Sequence, residues 1–259
     1  MKLLKLGGSV VTKKDLNFTP NLEQIRRLAE EIKDTLPQKL IIIHGGGSFG
    51  HPVAKDYSIN QGYRSPDQLI GFSKTHESMV KLNQIIVNEF HEIGVPVFGV
   101  SPSSYTITND KRIKKLDIRI LEGLLNLGTI PILYGDAVLD KKLGFTILSG
   151  DQLAVEIAKK LNISTIIFGS DLDGIFTTDP KIDSKAVLLE RLSIDQMEVN
   201  SKITGSQNTD VTGGMLGKIS EASEAVRVGM NVMVVNALEP GRVKKAILGE
   251  KVKGTYIVP

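Results

Sequence analysis

The stretch that most constrains the fold of this chain runs from Ile41 to His51, with the sequence IIIHGGGSFGH. The apolar, β-branched run predicts a buried strand, and the three glycines after it predict a loop whose backbone can approach a ligand closely, since glycine has no Cβ. If a helix follows such a loop, its exposed N–H groups and its dipole favour an anion such as phosphate. The stretch therefore predicts an anion site at the end of a buried strand.

A second strand-then-glycine unit precedes this one. Leu3 to Leu6 predicts a first buried strand, and Gly7 follows it directly. Between the two strands, Thr19-Pro20 predicts a helix start, apolar residues at helical spacing follow, and Pro37 ends the helix. A strand, a helix and a strand in this order predict two parallel strands with a right-handed crossover.

Strands and helices alternate over the rest of the chain. Ser65-Pro66-Asp67-Gln68 is a capping box that predicts a helix to about Glu92. The later predicted elements are strands at 97–100, 130–134, 164–168, 232–235 and 255–258, helices at 116–127, 152–161, 215–228 and 243–248, and an edge hairpin of 138–140 with 145–148. Since no linker or repeat divides the chain, we expect one domain over 1–259, a three-layer α/β/α sandwich with a mainly parallel central sheet and two lobes meeting at a cleft.

The composition excludes several classes of protein. The 259-residue chain contains no cysteine, which rules out disulfides, thiolate zinc sites and cysteine nucleophiles. Its formal net charge is only +3, with lysines interleaved among acidic residues, so we expect no nucleic-acid partner. No run approaches the roughly 18 apolar residues of a membrane-spanning helix. We therefore expect a soluble, cytoplasmic protein with no membrane partner.

Three lysines lie beside or near glycine turns. Lys5 precedes Gly7-Gly8-Ser9 at the end of a predicted strand, where open α/β sheets bind ligands. The spacing is neither that of a Walker A loop nor that of a Rossmann fingerprint. Lys14 follows shortly after, and Lys218 follows a second glycine-rich approach to a helix, Thr212-Gly213-Gly214. Together these lysines could neutralise a triphosphate and a transferring group.

Two histidines flank the glycine loop and invite different interpretations. His44 comes directly after a buried strand, and we interpret it as a hydrogen-bonded structural histidine. His51 lies about one and a half helical turns beyond Gly46, so its imidazole could donate a hydrogen bond to a phosphate oxygen. A bound phosphate would raise the pKa of His51. Taken alone, His51 is better explained as a structural histidine.

Four aspartates follow predicted strands or the hairpin. Asp136, Asp151, Asp171 and Asp173 could therefore converge on one edge of the sheet. Carboxylates there could hold lysines in place or bind Mg²⁺ through water. The ordinary alternative is helix N-capping, which Asp151 in particular satisfies.

Six motifs run from the first strand to near the C-terminus. In chain order they are KLGGSVVTKK at 5–14, HGGGSFGHP at 44–52, YGD at 134–136, SGD at 149–151, DLDG at 171–174 and NTDVTGGMLGK at 208–218. In this joint order they resemble the amino acid kinase superfamily, and specifically the isopentenyl phosphate kinases. The resemblance covers nearly the whole chain.

The resemblance implies transfer of the γ-phosphoryl group of ATP, with Mg²⁺ present, to isopentenyl phosphate. The products would be isopentenyl diphosphate and ADP, in an alternative mevalonate route of isoprenoid biosynthesis. It also implies an acceptor lobe at about 1–160, a nucleotide lobe at about 161–259 and a homodimer. It assigns no direct metal ligand.

The resemblance further implies roles for individual residues. Lys5 would contact the β- and γ-phosphates, Lys14 would stabilise the transition state, and Lys218 would hold the nucleotide phosphates. Asp151 would orient Lys5. The acceptor phosphate would bind at His51, Gly46 and Gly150. The remaining ATP-site residues would be Gly7, Gly8, Ser9, Gly47 and Gly214 near the phosphates and Asp171 and Phe176 near the base.

The chemistry of phosphoryl transfer is consistent with this set of side chains. Its transition state is loose, so catalysis is mostly alignment and charge neutralisation. An acceptor that is already a phosphate oxyanion needs no general base, which fits a site of lysines and a histidine donor. His51 determines the substrate assignment, because superfamily members that act on amino-acid carboxylates have no evident use for it. For the apolar tail, Phe72, Met79 and Ile147 are candidate pocket residues.

Two alternatives stay open at this point. One is a kinase for another small phosphate or phosphonate, such as fosfomycin kinases, which are similar in the glycine loop and the histidine. The other is a nucleotide-binding regulatory module without turnover. The three lysines argue against the second, because a sensor needs affinity but no neutralisation of a transferring group.

Overall fold

The computed structural model describes residues 1–195 and 213–259. Its strands are β1 (Lys2–Leu6), β2 (Leu40–His44), β3 (Val97–Gly99), β4 (Thr106–Asn109), β5 (Arg112–Leu116), β6 (Ile130–Tyr134), β7 (Asp136–Asp140), β8 (Gly144–Leu148), β9 (Thr165–Ser170), β10 (Arg191–Ser193), β11 (Asn231–Asn236) and β12 (Gly254–Val258). Its helices are α1 (Gly8–Val11), α2 (Leu22–Lys33), α3 (Gly47–Asp56), α4 (Asp67–Glu92), α5 (Arg119–Asn126), α6 (Gly150–Lys160), α7 (Gly213–Arg227) and α8 (Arg242–Leu248). Single 3₁₀ turns lie at Ile59–Gln61 and Pro102–Ser104.

The central layer is an eight-stranded sheet in the order β10-β12-β11-β9-β1-β2-β6-β3. Its neighbours are parallel except for the antiparallel pair of β11 and β12. Side chains alternate across it: Leu3 belongs to one buried cluster and Leu4 to the other. Because strand side chains point to opposite faces in turn, both faces carry a core that helices cover. This confirms the predicted three-layer α/β/α sandwich.

The first helix of the crossover begins later than predicted. Helix α2 starts at Leu22, and Thr19 does not cap it. Pro20 instead forms a β-bridge with Thr12, and Lys13 N–H donates to the Thr19 carbonyl. The chain between α1 and α2 therefore folds back on itself, and Thr19 and Pro20 lie in this loop and not at a helix start.

The hairpin of β7 and β8 was predicted at the edge of the main sheet, and this prediction is wrong. The hairpin belongs to a separate four-stranded sheet in the order β5-β4-β7-β8. Strand β5 was not predicted, and it displaces the start of α5 from 116 to Arg119. The β4–β5 turn holds Asp110 and Lys111 at positive φ, 51° and 68°. Asp140 stabilises this turn by accepting hydrogen bonds from both of their backbone N–H groups.

Helix α4 follows the predicted capping box and ends where predicted, at Glu92. The Gln68 side chain accepts a hydrogen bond from Ser65 N–H, which is the return half of a capping box. Its buried residues include Thr75, Met79 and Asn83, at intervals of four, so one face of α4 packs against the protein. No helix in the described ranges is long and apolar enough to cross a membrane.

Candidate active site

A cleft opens at the carboxyl ends of the central strands. Leu6 of β1 lies beside His44 of β2 on one side and Gly169 of β9 on the other, so the turns after these strands meet. The cleft has a volume of about 1160 Å³. The predicted site residues that line it are Lys5, Gly7, Gly8, Ser9, Lys14, Gly46, Gly47, His51, Gly150, Asp151, Asp171 and Lys218.

The two glycine turns contact each other backbone to backbone. A Cβ on Gly8 would lie 2.3 Å from the Gly47 nitrogen, and a Cβ on Gly45 would lie 2.7 Å from the Gly8 nitrogen. Gly47 also has a φ of +45°, a left-handed conformation that disfavours other residues. Thr12 joins the turns further, since its hydroxyl donates to the Gly8 carbonyl and accepts from Ser48 N–H. On both turns the glycines permit close approach of protein backbone, and the predicted approach of a ligand stays a prediction.

Two buried lysines share one carboxylate at the base of the cleft. Asp151, in the first turn of α6, lies 2.6 Å from Lys5 Nζ and 3.3 Å from Lys218 Nζ through its Oδ1 atom. Both lysine side chains are only 8% exposed. Burial raises the pKa of Asp151, but the two ammonium charges outweigh this and lower it. Burial and the charge of Lys5 lower the pKa of Lys218 to about 8. The cluster therefore carries a surplus positive charge in a poorly solvated place.

A second group of cations meets at Asp171, just after β9. Its Oδ2 atom lies 2.9 Å from Lys14 Nζ and 3.1 Å from Lys181 Nζ, and Ser9 Oγ donates to Oδ1 at 2.9 Å. Burial opposes ionisation of Asp171, yet these bonds hold its pKa well below the usual range. Both lysines are more than half exposed, so they can reorient toward a ligand. Lys181 was not predicted.

His51 lies in α3, beyond the glycine loop, and faces the cleft. Desolvation in the cleft and the charge of Lys5 lower the pKa of its imidazole. A bound phosphate dianion would raise the pKa of His51. Met79 and Ile147 line the cleft. Phe72, the third predicted tail contact, is instead stacked on Phe145, with ring centroids 4.9 Å apart.

An imidazole–carboxylate pair, of which Asp136 lines the cleft, was not predicted. The Asp136 side chain is fully buried, and its Oδ1 atom lies 3.0 Å from His76 Nδ1. Its carboxylate also accepts from Ala137 N–H and Ser103 N–H. The hydrogen bond to Asp136 raises the pKa of His76. In the sequence, His76 looks like one more polar residue of a long helix, and only the spacing of Thr75 and Met79, which both line the cleft, hints at a helix face turned inward.

Two predicted positions lie apart from the cleft. Asp173 was expected to converge with the other aspartates, but Arg242 Nη1 and Lys253 Nζ hold it, each at 2.6 Å, and it is not among the described lining residues. Phe176 is also outside that lining, because its backbone forms a β-bridge with Leu188. Gly214 is the second residue of α7. The part of the last motif at 208–212 lies outside the described residues.

The arrangement is suited to moving an anionic group between two anionic partners. The cleft supplies two buried lysines, the exposed Lys14, two glycine turns in contact and the imidazole of His51. In the described ranges no three acidic or histidine side chains cluster as metal ligands. The cleft carboxylates Asp136, Asp151 and Asp171 are each paired with a cation or an imidazole. Buried and exposed cations around contacting glycine turns are suited to phosphoryl transfer.

Comparison with known proteins identifies the class. The sequence profile described as "Amino acid kinase family" matches residues 1–236, and the chain belongs to this family of kinases. An isopentenyl phosphate kinase of Methanothermobacter thermautotrophicus is 38% identical, with 99% of this chain and 98% of that protein aligned. Another, from Methanocaldococcus jannaschii, is 33% identical over 99% and 98%. A crystal structure of isopentenyl phosphate kinase has a TM-score of 0.87 at 34% identity, covering 99% of this chain and 100% of that one. Within the family, the chain belongs with the isopentenyl phosphate kinases.

Proposed function

We propose that this protein transfers the γ-phosphoryl group of ATP to isopentenyl phosphate, giving isopentenyl diphosphate and ADP. The observation that carries the proposal is the pair of glycine turns in direct contact, in a cleft that the Lys5–Asp151–Lys218 cluster and His51 both line. Two phosphates seated on the two turns would be neighbours, which is the geometry that direct transfer requires.

In this proposal the donor phosphates lie over Gly7, Gly8 and the two buried lysines. Lys5 and Lys218 neutralise the β- and γ-phosphate oxygens, and Asp151 fixes the position of Lys5. The attraction between these ammonium groups and phosphate oxygens is stronger here than in water, because both lysine side chains are buried. Asp171 and its lysines continue the site toward the nucleoside. Lys14 leaves Asp171 to contact the transferring phosphoryl group, while Lys181 stays with the carboxylate.

The acceptor phosphate binds on the Gly46 side of the glycine loop. Its oxygens accept hydrogen bonds from backbone N–H groups of the loop and from His51, and Gly150 leaves room for them. The attacking group is an oxygen of the acceptor phosphate that is already ionised, so no side chain has to remove a proton. The apolar tail extends past Met79 and Ile147, which are apolar residues of the lining.

We propose that Mg²⁺ enters with ATP. The cleft carboxylates are occupied by cations, so the protein offers few direct ligands, and Mg²⁺ is commonly held by substrate phosphates and water. When bound, the ion would supply charge neutralisation between the β- and γ-phosphates. The protein's contribution is to orient the triphosphate beneath the lysines.

We further propose a division of labour along the chain and an assembly state. Residues up to about 160 would hold the acceptor, and residues from about 161 the nucleotide, since His51 and Asp171 lie on these two sides. A homodimer is supported by Leu69 and Ile70 on the outer face of α4, which are 52% and 59% exposed. We place the reaction in the cytoplasm, where ATP is available. Light scattering during gel filtration would test the dimer, which a monomeric mass would exclude.

Product analysis tests the activity itself. Purified protein with Mg-ATP is offered isopentenyl phosphate, dimethylallyl phosphate, fosfomycin, UMP and acetylglutamate in parallel, with ADP release and ³¹P NMR as readouts. We expect isopentenyl phosphate to give a diphosphate with the highest kcat/KM. Preferred turnover of fosfomycin would establish the alternative kinase, and nucleotide binding without turnover of any acceptor would establish a regulatory module.

A further inference from the structure

His44 lies outside the cleft, and its hydrogen bonds connect the glycine loop to helix α4. The ring is 0% exposed and packs 5.5 Å from the ring of Tyr134. Its Nδ1 atom lies 3.0 Å from the Gly45 carbonyl oxygen, and its Nε2 atom lies 3.2 Å from Asn83 Nδ2. Asn83 is buried too and donates to the Ile132 carbonyl of β6. A buried polar chain therefore runs from β6 through α4 to the loop.

The chemistry of these groups fixes which nitrogen of His44 carries the proton. A carbonyl oxygen can only accept, so Nδ1 must be the donor to Gly45. In a neutral imidazole Nε2 is then an acceptor, and the Asn83 amide N–H supplies the matching donor. Burial and the charge of Lys5 lower the pKa of His44 to about 4, although the bond to Gly45 opposes this. Every polar atom of the ring is thus satisfied in a single tautomer.

The bond to Gly45 also orients the amide that follows. The C=O of Gly45 and the N–H of Gly46 belong to one planar, trans peptide group, so they point in opposite directions. Holding the carbonyl against the buried imidazole turns the Gly46 N–H away from it. Among the backbone hydrogen bonds of the described residues, this N–H has no acceptor, and Gly46 lines the cleft.

We propose that His44 is a positioning residue that aims the Gly46 N–H at the acceptor phosphate, with Asn83 setting its tautomer. The proposal rests on the proposed function. A polar side chain is needed here because glycine loops have no side chains of their own to hold a peptide group in one orientation. The role differs from that of His51, which faces the cleft directly.

Helix α4 supports the same loop at a second point. Met79, one helical turn before Asn83, lies so close that a Cβ on Gly46 would be 3.1 Å from its sulfur and one on Gly50 2.7 Å. On the other side of Asn83, a Cβ on Gly99 would lie 2.4 Å from its amide oxygen. The Asn83 amide is therefore confined between strand β3 and His44. Its orientation, and with it the tautomer of His44, is fixed by packing.

The tautomer can be observed without any substrate. A long-range ¹H–¹⁵N NMR spectrum of the full chain labelled at its four histidines, assigned with a His44→Gln sample, reports which ring nitrogen is protonated. We expect His44 to be neutral and protonated at Nδ1 from pH 8 to about pH 5. Protonation at Nε2, or a doubly protonated ring at pH 7, would overturn the proposal. This result stands or falls independently of the reaction catalysed.

Two substitutions separate positioning from a purely structural role. Asparagine at 44 can place an amide N–H near the Nδ1 position and keep the bond to Gly45, whereas glutamine reaches toward Nε2 and keeps only the contact with Asn83. We expect His44→Asn to stay within about threefold of wild type, and His44→Gln to raise KM for isopentenyl phosphate roughly tenfold. KM for ATP should change less than twofold in both.

The outcomes are distinguishable from a failure of the proposed function. If wild-type protein does not phosphorylate isopentenyl phosphate, the proposed function is wrong, and the NMR result still decides the tautomer. If wild type is active but the two variants lose acceptor and ATP affinity equally, or if His44→Gln is the more active one, His44 is only a packing residue. Melting temperatures of both variants identify losses that arise from unfolding.

Discussion

Replacing Gly8 by alanine should separate the two glycine turns. The added Cβ would lie 2.3 Å from the Gly47 nitrogen and 2.6 Å from its Cα, both backbone atoms that no rotamer change can move aside. Ordinary contacts begin near 3.4 Å. The turns must therefore part by about 1 Å, and a displacement of that size between reacting groups can cost about 100-fold in rate. This corresponds to about 2.7 kcal/mol of activation free energy.

The folded protein should tolerate the same change better than the reaction does. Overpacking typically costs about 1–3 kcal/mol, so we expect the melting temperature of Gly8→Ala to fall by several degrees and the protein to remain folded at 25 °C. Steady-state kinetics with Mg-ATP and isopentenyl phosphate should then show the loss mainly in kcat, because each phosphate can still bind its own turn.

Gly123→Ala is the matched control. Gly123 lies in helix α5, and a Cβ there would meet no atom within 4 Å. We expect unchanged kinetics and an equal or higher melting temperature, since alanine favours helix over glycine. If folded Gly8→Ala turned over within threefold of wild type, contact between the turns would not set the distance between donor and acceptor, and the reasoning would fail.

Four further changes test other parts of the site and fold. His51→Ala should lower phosphorylation about 10- to 1,000-fold with nucleotide affinity nearly intact by calorimetry, and unchanged activity would remove His51 from the acceptor site. Lys14→Met should lower kcat more than nucleotide affinity; equal losses would place Lys14 in ground-state binding. Because the pKa of Lys218 is lowered to about 8, kcat/KM for ATP should fall as pH rises through about 8, and Lys218→Arg should abolish that fall; a persisting fall would assign it to another group. Burial alone would raise the pKa of Asp140, but hydrogen bonds from Lys111 N–H and other donors lower it to about 2, below its unfolded value, so its stabilisation is present above about pH 4 and lost as pH falls toward 2. Asp140→Asn should therefore lower the melting temperature at pH 7 by an amount that narrows between about pH 4 and pH 2, which differential scanning calorimetry would measure.

The central sheet was predictable because local signals dominate there. Apolar β-branched runs such as Leu40 to Ile43 can only be buried, and the glycines after them mark where each strand ends. The β4–β5 hairpin was missed for the opposite reason. Its turn uses Asp110 and Lys111 at positive φ with no glycine, and Asp140, thirty residues away, stabilises it. No local pattern encodes such a distant bond.

In the site too, residues marked by local sequence signals were predictable and residues that depend on distant contacts were not. Strand-end reasoning brought Lys5 and Asp151 to one edge of the sheet, and the structure pairs them at 2.6 Å. The pair of His76 and Asp136 was not found, because a histidine in a long helix looks like solvated surface until the fold turns that face inward. The interpretation of His44 as a buried, hydrogen-bonded histidine was right, but sequence could not show what its hydrogen bonds hold.

The two lysines on Asp151 also have a thermodynamic consequence. One carboxylate cannot neutralise two ammonium groups, so the ligand-free fold pays to keep a cation away from water. A polyanion that binds there removes this cost and stabilises the folded state by mass action, by about 2.7 kcal/mol at one hundred times its dissociation constant. The nucleotide is then a folding ligand as well as a substrate. The resistance of this protein to unfolding should rise and fall with the nucleotide concentration around it.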